Sequence, residues 1–527
     1  MKRTDIEPAI GAALEEALIE RDVLAGFTLL DKISPRVAKL VPEDPQAISL
    51  LLCIAQWVDL GYRDLAFLES TLKRFSHLVV SELSLIDFLR LRSAQAFLCL
   101  SREEIDEAIA IFEMTLRAGM DLMPKHLAFI SHFWKGRAHR KKGEYQHAVL
   151  HISAARKVAE QVTAPKLVAV TKIHESWLVF QKGEQRRAFR LLDEAEEQLR
   201  LTGDTLSLGN IESARGRFVR RSGEYVRALT HFETAIAIYS ANNPNHRNHA
   251  RALVNAAYVK RLIALDMRSK FRGDQARGSA HARHLQISTE ALDLLKKAGG
   301  IYAMHHHQGG TGSVLVNSGH LHLESGAIDM ALTEGRKAYR LGEEKHDQIL
   351  MSRARVLQAL VELALSDEQL GDHPDVFMHA NLATAYAEQA IELATHTQNR
   401  RLLAEAYIAR GVAATNDVFQ QWDVAKSYAA KAAGLLGEGD RDHLFKELGM
   451  LKAKILRFIG IDHTLRLWSD GDFGDKTFQQ IQEEFAEMVI PKMWIREEKN
   501  ITRVAQKLSI SPKKIRRLLR NAGYLDR

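Results

Sequence analysis

The sequence predicts an all-α protein: a solenoid of helical hairpins with a period of about 40 residues, followed by a compact basic module of short helices. Three observations carry this expectation. Small and apolar residues recur in register, glycine-containing turns fall at a fixed point of that register, and the surplus positive charge is concentrated towards the C-terminal end.

The repeat is clearest over residues 96–340. Glu103, Gly143, Gly183 and Gly223 lie 40 apart, as do Ala108, Ala148, Ala188 and Ala228. Four positions on stand Phe112, Ile152, Leu192 and Phe232, and three beyond those Thr115, Ala155, Ala195 and Ala235. Each unit reads as a helix, a short turn (KKGEY at 141–145, RSGEY at 221–225) and a second helix with small or apolar residues at i, i+4 and i+7. Alanine at 148 or 228 lets the second helix approach the first closely, and Ile152 or Phe232 fills the space beyond. Gly143 and Gly223 accept the positive φ of a helix C-terminus. One hairpin cannot bury its apolar face alone, so neighbours are expected to stack into a continuous core.

These residues resemble the tetratricopeptide repeat (TPR) family. Its pattern matches Gly136, Gly143, Tyr145, Ala148, Ile152 and Ala155, and again Gly216, Gly223, Tyr225, Ala228, Phe232 and Ala235. A later unit matches with Asn317, Gly319, Gly326, Ala331 and Ala338, and weaker ones follow around 383–390 and 411–432. The period departs from the roughly 34 residues of the family, which implies longer helices. The resemblance implies a TPR-like solenoid, with degenerate repeats at 1–95 and the main array at 96–460. The period is interrupted at 266–284 (DMRSKFRGDQARGSAHARH) and 366–380 (SDEQLGDHPDVFMHA), and both segments are expected to be long inter-helix loops.

Composition narrows the class. A chain of 527 residues with 46% apolar content and only 10 prolines is neither mainly disordered nor collagen-like. Cys53 and Cys99 are too few for a disulfide framework or a thiolate zinc site, which fits a reducing compartment. Acidic residues interrupt the first 16 positions, and no apolar run reaches the roughly 18 residues a membrane span needs, so a cytoplasmic protein is expected.

The formal charge of +7 is local. Residues 492–527 hold eleven basic and three acidic side chains, leaving the rest of the chain close to neutral. Between solenoid and module, 461–477 reads as a linker, and Asp470, Asp472 and Asp475 lack the glycine and distal glutamate of a calcium loop. In the module at 478–527, Phe478, Ile481, Phe485 and Val489 repeat at helical spacing, and Pro491 is expected to kink or interrupt that helix. Val504, Ala505 and Leu508 form one apolar face, Ser509-Ile510-Ser511 a turn, and Ile515, Leu518, Leu519 and Ala522 a second face. Ser511 is a good N-cap, Pro512 suits a first helical position, and Gly523 ends the helix. Two short helices sharing a core across three residues make a helix-turn-helix.

A rotation of about 100° per residue puts Lys513, Arg517 and Arg520 opposite the apolar stripe, with Lys514 and Arg516 on its flanks. The major groove admits one α-helix, and phosphates reward each cation by counterion release. Lys513 and Arg517 are expected to face base edges, with Lys514, Arg516 and Arg520 on phosphate and Arg503 and Lys507 alongside. The segment resembles the Fis-type helix-turn-helix at Asn500, Thr502, Val504, Ala505, Leu508, Ile510, Ser511, Ile515, Arg517, Leu519 and Gly523, and departs from it where Ser509 replaces the usual turn glycine. The resemblance implies a DNA partner and a homodimer through Ile481, Phe485, Val489, Met493 and Trp494; packing of these residues within their own domain is the alternative.

No catalytic or metal set emerges. His305, His306 and His307, with His320 and His322, cannot all face one ion, and GGTGS at 309–313 lacks the Lys-Ser/Thr of a phosphate loop. Neither an enzyme nor a cofactor is expected. The TPR resemblance implies a groove lined by the first helix of each hairpin, which register places at Phe133, Arg137, Arg140 and Lys141, at Ile173, Trp177 and Phe180, and at Arg217, Arg220 and Arg221. The expected function is a DNA-binding regulator whose solenoid takes a peptide, protein or small ligand. The alternative is a scaffold that assembles protein partners and docks its basic tail on an acidic one.

Overall fold

In the computed structural model every regular element among the described residues is a helix. The structure describes residues 8–44, 46–78, 83–119, 122–270, 274–368, 374–437, 439–459, 476–521 and 524–525, and not the side chains at 8, 119, 268–281, 374 and 459. The chain divides into two compact units, residues 1–452 and 453–527.

The first unit opens with α1 (Pro8–Ile19), α2 (Val23–Val37), α3 (Ala47–Asp59) and α4 (Leu65–Lys73). Hairpins follow as α5 (Leu85–Ser101) with α6 (Ile105–Gly119), α7 (Lys125–Lys142) with α8 (Tyr145–Gln161), and α9 (Pro165–Gln181) with α10 (Gln185–Leu199). Then come α11 (Thr205–Arg221) with α12 (Tyr225–Asn242), α13 (Arg247–Lys270) with α14 (Asp274–Met304), and α15 (Gln308–Glu324) with α16 (Ile328–Glu344). The last pairs are α17 (Gln348–Glu368) with α18 (Pro374–Thr395) and α19 (Arg400–Ala414) with α20 (Trp422–Leu435), before α21 (His443–Ile459) begins. This is a TPR-like solenoid.

The sequence register is also a register of backbone conformation. Gly143, Gly183 and Gly223 take φ of +82°, +91° and +81°, and Glu103 occupies the same left-handed position at +62°. The turns between hairpins repeat as well, with Thr163 at +54° and Gly203 at +72°. Within a hairpin, a side chain at Gly216 would meet the Phe232 ring at 3.0 Å, so glycine there sets how closely α11 and α12 pack. Ala228 and Ala235 on the facing helix are wholly buried.

The boundary expected at residue 95 does not break the fold. One apolar core runs from Leu14 on α1 through Phe97 and Phe112 to Ala252 on α13. The two expected loops are corrected too. Residues 266–284 are almost wholly helix, because α13 continues to Lys270 and α14 starts at Asp274. In the other segment, α17 reaches Glu368 and α18 starts at Pro374, while 369–373 lie outside the described residues. An isolated glycine costs a helix only about 1 kcal/mol. In a hairpin extended on both sides, the mutual packing of 24- and 31-residue helices outweighs that cost. The linker expected at 461–477 falls largely outside the described residues.

Successive turns of the solenoid touch. Arg21 pairs with Asp204, His246 and Arg247 meet Asp59, and Gln398 takes the Gly143 carbonyl at 2.9 Å. Glu103 accepts from Gly309 N at 3.0 Å and from Lys141 Nζ at 2.9 Å, and Arg221 bonds Asp440 at 3.0 Å. Burial opposes ionisation of Glu103, yet Lys141, His307 and the Gly309 N–H outweigh it and hold the carboxyl below its ordinary range.

The second unit contains α22 (Phe478–Arg496), α23 (Ile501–Leu508) and α24 (Pro512–Asn521). Pro491 does not interrupt α22, which runs through it with Pro491 buried. A capping box at Thr477 and Gln480 starts this helix.

Candidate ligand site and candidate nucleic-acid interface

The candidate ligand site is built by α7, α9, α11 and α13, with Arg137 and Arg140 on α7, Arg217 and Arg220 on α11 at the repeat spacing, and Arg251 on α13 outside it. Arg137 lies 3.7 Å from Asp59 and stacks over the Trp134 ring at 3.8 Å. Arg140 reaches towards the Trp177 ring at 5.5 Å. Arg251 donates to Asn210 and Asn248 at 3.0 Å each, partners that carry no charge. Neither Arg140 nor Arg217 has an ion pair among the described residues, and Arg217 Nε is buried without a hydrogen-bond partner.

These cations feel one another. Burial pushes Arg140 down to about 9, with Arg251 and Arg137 adding repulsion. Burial, then Arg251, Arg140 and Arg220, force Arg217 well below its ordinary value. Arg137 falls to about 10 because burial and the Arg251 and Arg247 charges outweigh Asp59. Enclosure combined with Arg137 and Arg140 holds His174 far down, so it is neutral. At neutral pH the guanidiniums keep their charge, and a carboxylate or phosphate entering this space would meet donors already in place.

Further along the interior, Arg221, Arg401 and Arg261 are each matched by an acid. Asp440 accepts from Arg221 and lies 3.0 Å from Arg401, which also pairs with Asp442. Arg261 bonds Glu324 at 2.6 Å. A cavity of about 70 Å³ opens beside Arg137 and His174, walled by Phe133, Trp134 and Val170 on one hand and by Asp59, His126 and Asn248 on the other.

The groove residues therefore separate by role. Arg137, Arg140, Arg217 and Arg220 point into the shared interior, while Arg221 is taken by Asp440 and Lys141 by Glu103. Ile173 and Phe180 are core residues, with Phe180 stacked on Phe218 at 4.0 Å. Phe133 is buried and borders the cavity, and Trp177 packs edge-on against Tyr145. Arg251, Asp59 and Asn210 were not read from the sequence. Arg251 falls outside the register that marked the others, and Asp59 arrives from a distant helix.

In the second unit, Val504, Ile515, Leu518 and Leu519 close on Ile490 and Trp494 to form a small core. Trp494 and Met493 pack within their own unit, whereas Phe485 is half exposed. The Asn500 side chain caps α23 by accepting from Thr502 N and Arg503 N at 3.0 and 3.1 Å. Ser509 sits at φ +52°, a left-handed conformation that glycine would adopt with less strain. The Ser511 hydroxyl accepts from Lys514 N at 3.3 Å.

With the apolar stripe buried, Lys513, Lys514, Arg516, Arg517 and Arg520 are all exposed, as are Arg503 and Lys507. Lys507 pairs with Glu497 at 2.6 Å, Arg503 approaches Glu498 at 3.8 Å, and Arg517 approaches Glu483 at 3.5 Å. The other four cations make no ion pair among the described residues. Gly523 lies outside the described residues.

No group of three metal-ligating side chains occurs among the described residues, and none of their helices is long and apolar enough to cross a membrane. No protein-family model and no curated protein sequence matches the chain. Solved structures do. A Rap protein complexed with competence and sporulation factor aligns at TM-score 0.50 and 12% identity, covering 77% of this chain and 99% of that one. A human IFIT1 dimer with m7Gppp-AAAA gives 0.47 and 12%, covering 82% and 96%, and the apo quorum sensor NprR of B. thuringiensis gives 0.39 and 13%, covering 81% and 98%. At such identity the likeness to the Rap structure is one of fold, the TPR-like helical solenoid.

Proposed function

We propose that the chain is a DNA-binding transcriptional regulator, a binding protein without catalytic chemistry, whose solenoid takes a peptide, protein or small ligand and whose second unit is a Fis-type helix-turn-helix. The observation that carries the DNA half is α24, with three exposed cations opposite the wholly buried Ile515, Leu518 and Leu519 and two more, Lys514 and Arg516, on the flanks. A helix of that kind presents donors to a groove and charge to flanking phosphates. The enclosed cationic interior supports the ligand half, and the Rap neighbour, which holds its competence and sporulation factor, uses the same kind of scaffold. Anisotropy titration of the full chain on fragmented genomic DNA at several salt concentrations tests the reading. Salt-dependent binding that Arg517→Ala weakens is the expected result. Protein partners that survive both nuclease treatment and loss of residues 478–527 would favour a scaffold instead.

A further inference from the structure

Resting on the solenoid being the ligand-binding part, we propose that Arg137, Arg140, Arg217 and Arg251 form an anion-capture point, and that its ligand is a short peptide carrying two or more carboxylates beside a small side chain. The first support is charge without compensation. Three helices deliver four half-buried guanidiniums to one space, where Asp59, which also meets Arg247, approaches only Arg137 of the four and Arg251 is held by neutral amides. Like charges brought together in a protein interior cost stability unless something binds them. Elsewhere in this solenoid Arg221, Arg401 and Arg261 each have a carboxylate partner, whereas this set and the neighbouring Arg220 largely do not among the described residues.

The second support is preorganisation. Trp134 and Trp177 hold Arg137 and Arg140 by their faces, Arg251 is fixed by two asparagines, and Arg217 Nε is a buried donor without a partner among the described residues. A carboxylate meeting fixed donors pays little ordering entropy, and enclosure strengthens each contact. The third support selects the class. The adjoining cavity is lined by polar groups, among them Asp59, His126, Ser207 and Asn248, as well as by aromatic and aliphatic carbon, and its volume of about 70 Å³ is half the roughly 150 Å³ that accommodates benzene. A small side chain fits beside the arginines.

The test uses the full chain, panned against a displayed library of random hexapeptides. The expected pool is enriched in Asp and Glu at two or more positions, and the enrichment disappears with Arg140→Gln/Arg217→Gln. A labelled peptide from the pool is expected to bind each single variant about tenfold or more weakly, while Lys337→Gln, at an exposed position on α16, leaves it unchanged. Ligand-free Arg217→Gln is expected to melt no lower than the parent, because it removes a cation its neighbours repel. A lower midpoint would mark Arg217 as structural and overturn its assignment. A retained pool without acidic enrichment overturns the anion site and leaves the ligand-binding reading standing, whereas no retained pool overturns both. Tighter binding of a 5′-phosphorylated hexa-adenylate through the same arginines overturns the peptide class.

Discussion

Arg221 and Asp440, 219 positions apart in sequence, meet through an Nε to Oδ1 hydrogen bond of 3.0 Å. The same carboxylate lies 3.0 Å from Arg401, and the Arg441 N–H donates to the Arg221 carbonyl at 2.8 Å. Asp440 is 3% exposed, so it joins two solenoid turns where water cannot replace it. Asp440→Ala leaves two cations facing each other with their shared acid gone. The expected loss is about 3 kcal/mol or more, read as a lower urea midpoint.

Gly183 and Gly223 offer a matched comparison. Both have φ near +85°, as their values of +91° and +81° show. A side chain at 183 would meet nothing within 4 Å, whereas at 223 it would stand 2.7 Å from the Arg441 carbonyl. Gly183→Ala is expected to cost only the left-handed strain, about 1 kcal/mol. Gly223→Ala should cost about 1–3 kcal/mol beyond that, since backbone of the next solenoid turn must move. Thermal melts of the two variants give the comparison directly, and equal midpoints would mean that the turns do not pack as described.

The hairpins were legible because both of their causes are local. Ala148, Ile152 and Gly143 each mark a contact within one hairpin, and repetition made the pattern visible. Turn-to-turn contacts such as Glu103 with Gly309 have no sequence period, because they depend on how much each hairpin rotates on the last. The same holds for Arg137 and Arg251. One was found by register, and its neighbour emerges only when α7 and α13 close around the interior. The expected loop at 266–284 failed for a different reason: glycine and serine were given the weight of helix breakers, whereas α13 runs to Lys270 and α14 starts at Asp274.

Acid should loosen the solenoid before its carboxylates titrate. The His246 ring accepts from Asn248 N at 3.1 Å and its other nitrogen meets the Asp59 carbonyl at 3.1 Å, an arrangement that needs the neutral tautomer. Burial, then Arg247, pushes His246 down to about 3, and burial likewise takes His151 and His307 to about 3. The unfolded chain takes up these protons near pH 6.5 and the folded chain does not, so stability is intact above that pH and lost as pH falls towards 3. Each such histidine contributes at most about 1.4 kcal/mol per pH unit. Melting midpoints should therefore fall between pH 7 and pH 5, and His246→Asn should lower the value at pH 7 while flattening the slope. A midpoint constant over that range would contradict these neutral states.

The basic helix makes a prediction that separates its cations by job. Lys514 is exposed and unpaired among the described residues, so as a phosphate contact its loss in Lys514→Ala should weaken all DNA sequences alike and reduce the salt slope by about 1. Arg517 carries a 3.5 Å contact to Glu483 that DNA binding must break. An exposed pair of this kind is worth at most about 1 kcal/mol, so Glu483→Gln should tighten binding by no more than about fivefold. Arg517→Ala should weaken the preferred site by about tenfold to a hundredfold and flatten discrimination among sites. Anisotropy of the full chain on specific and scrambled duplexes measures all three variants. If Arg517→Ala shifts both duplexes equally, α24 meets phosphate alone, and the reading of base edges by Arg517 is wrong.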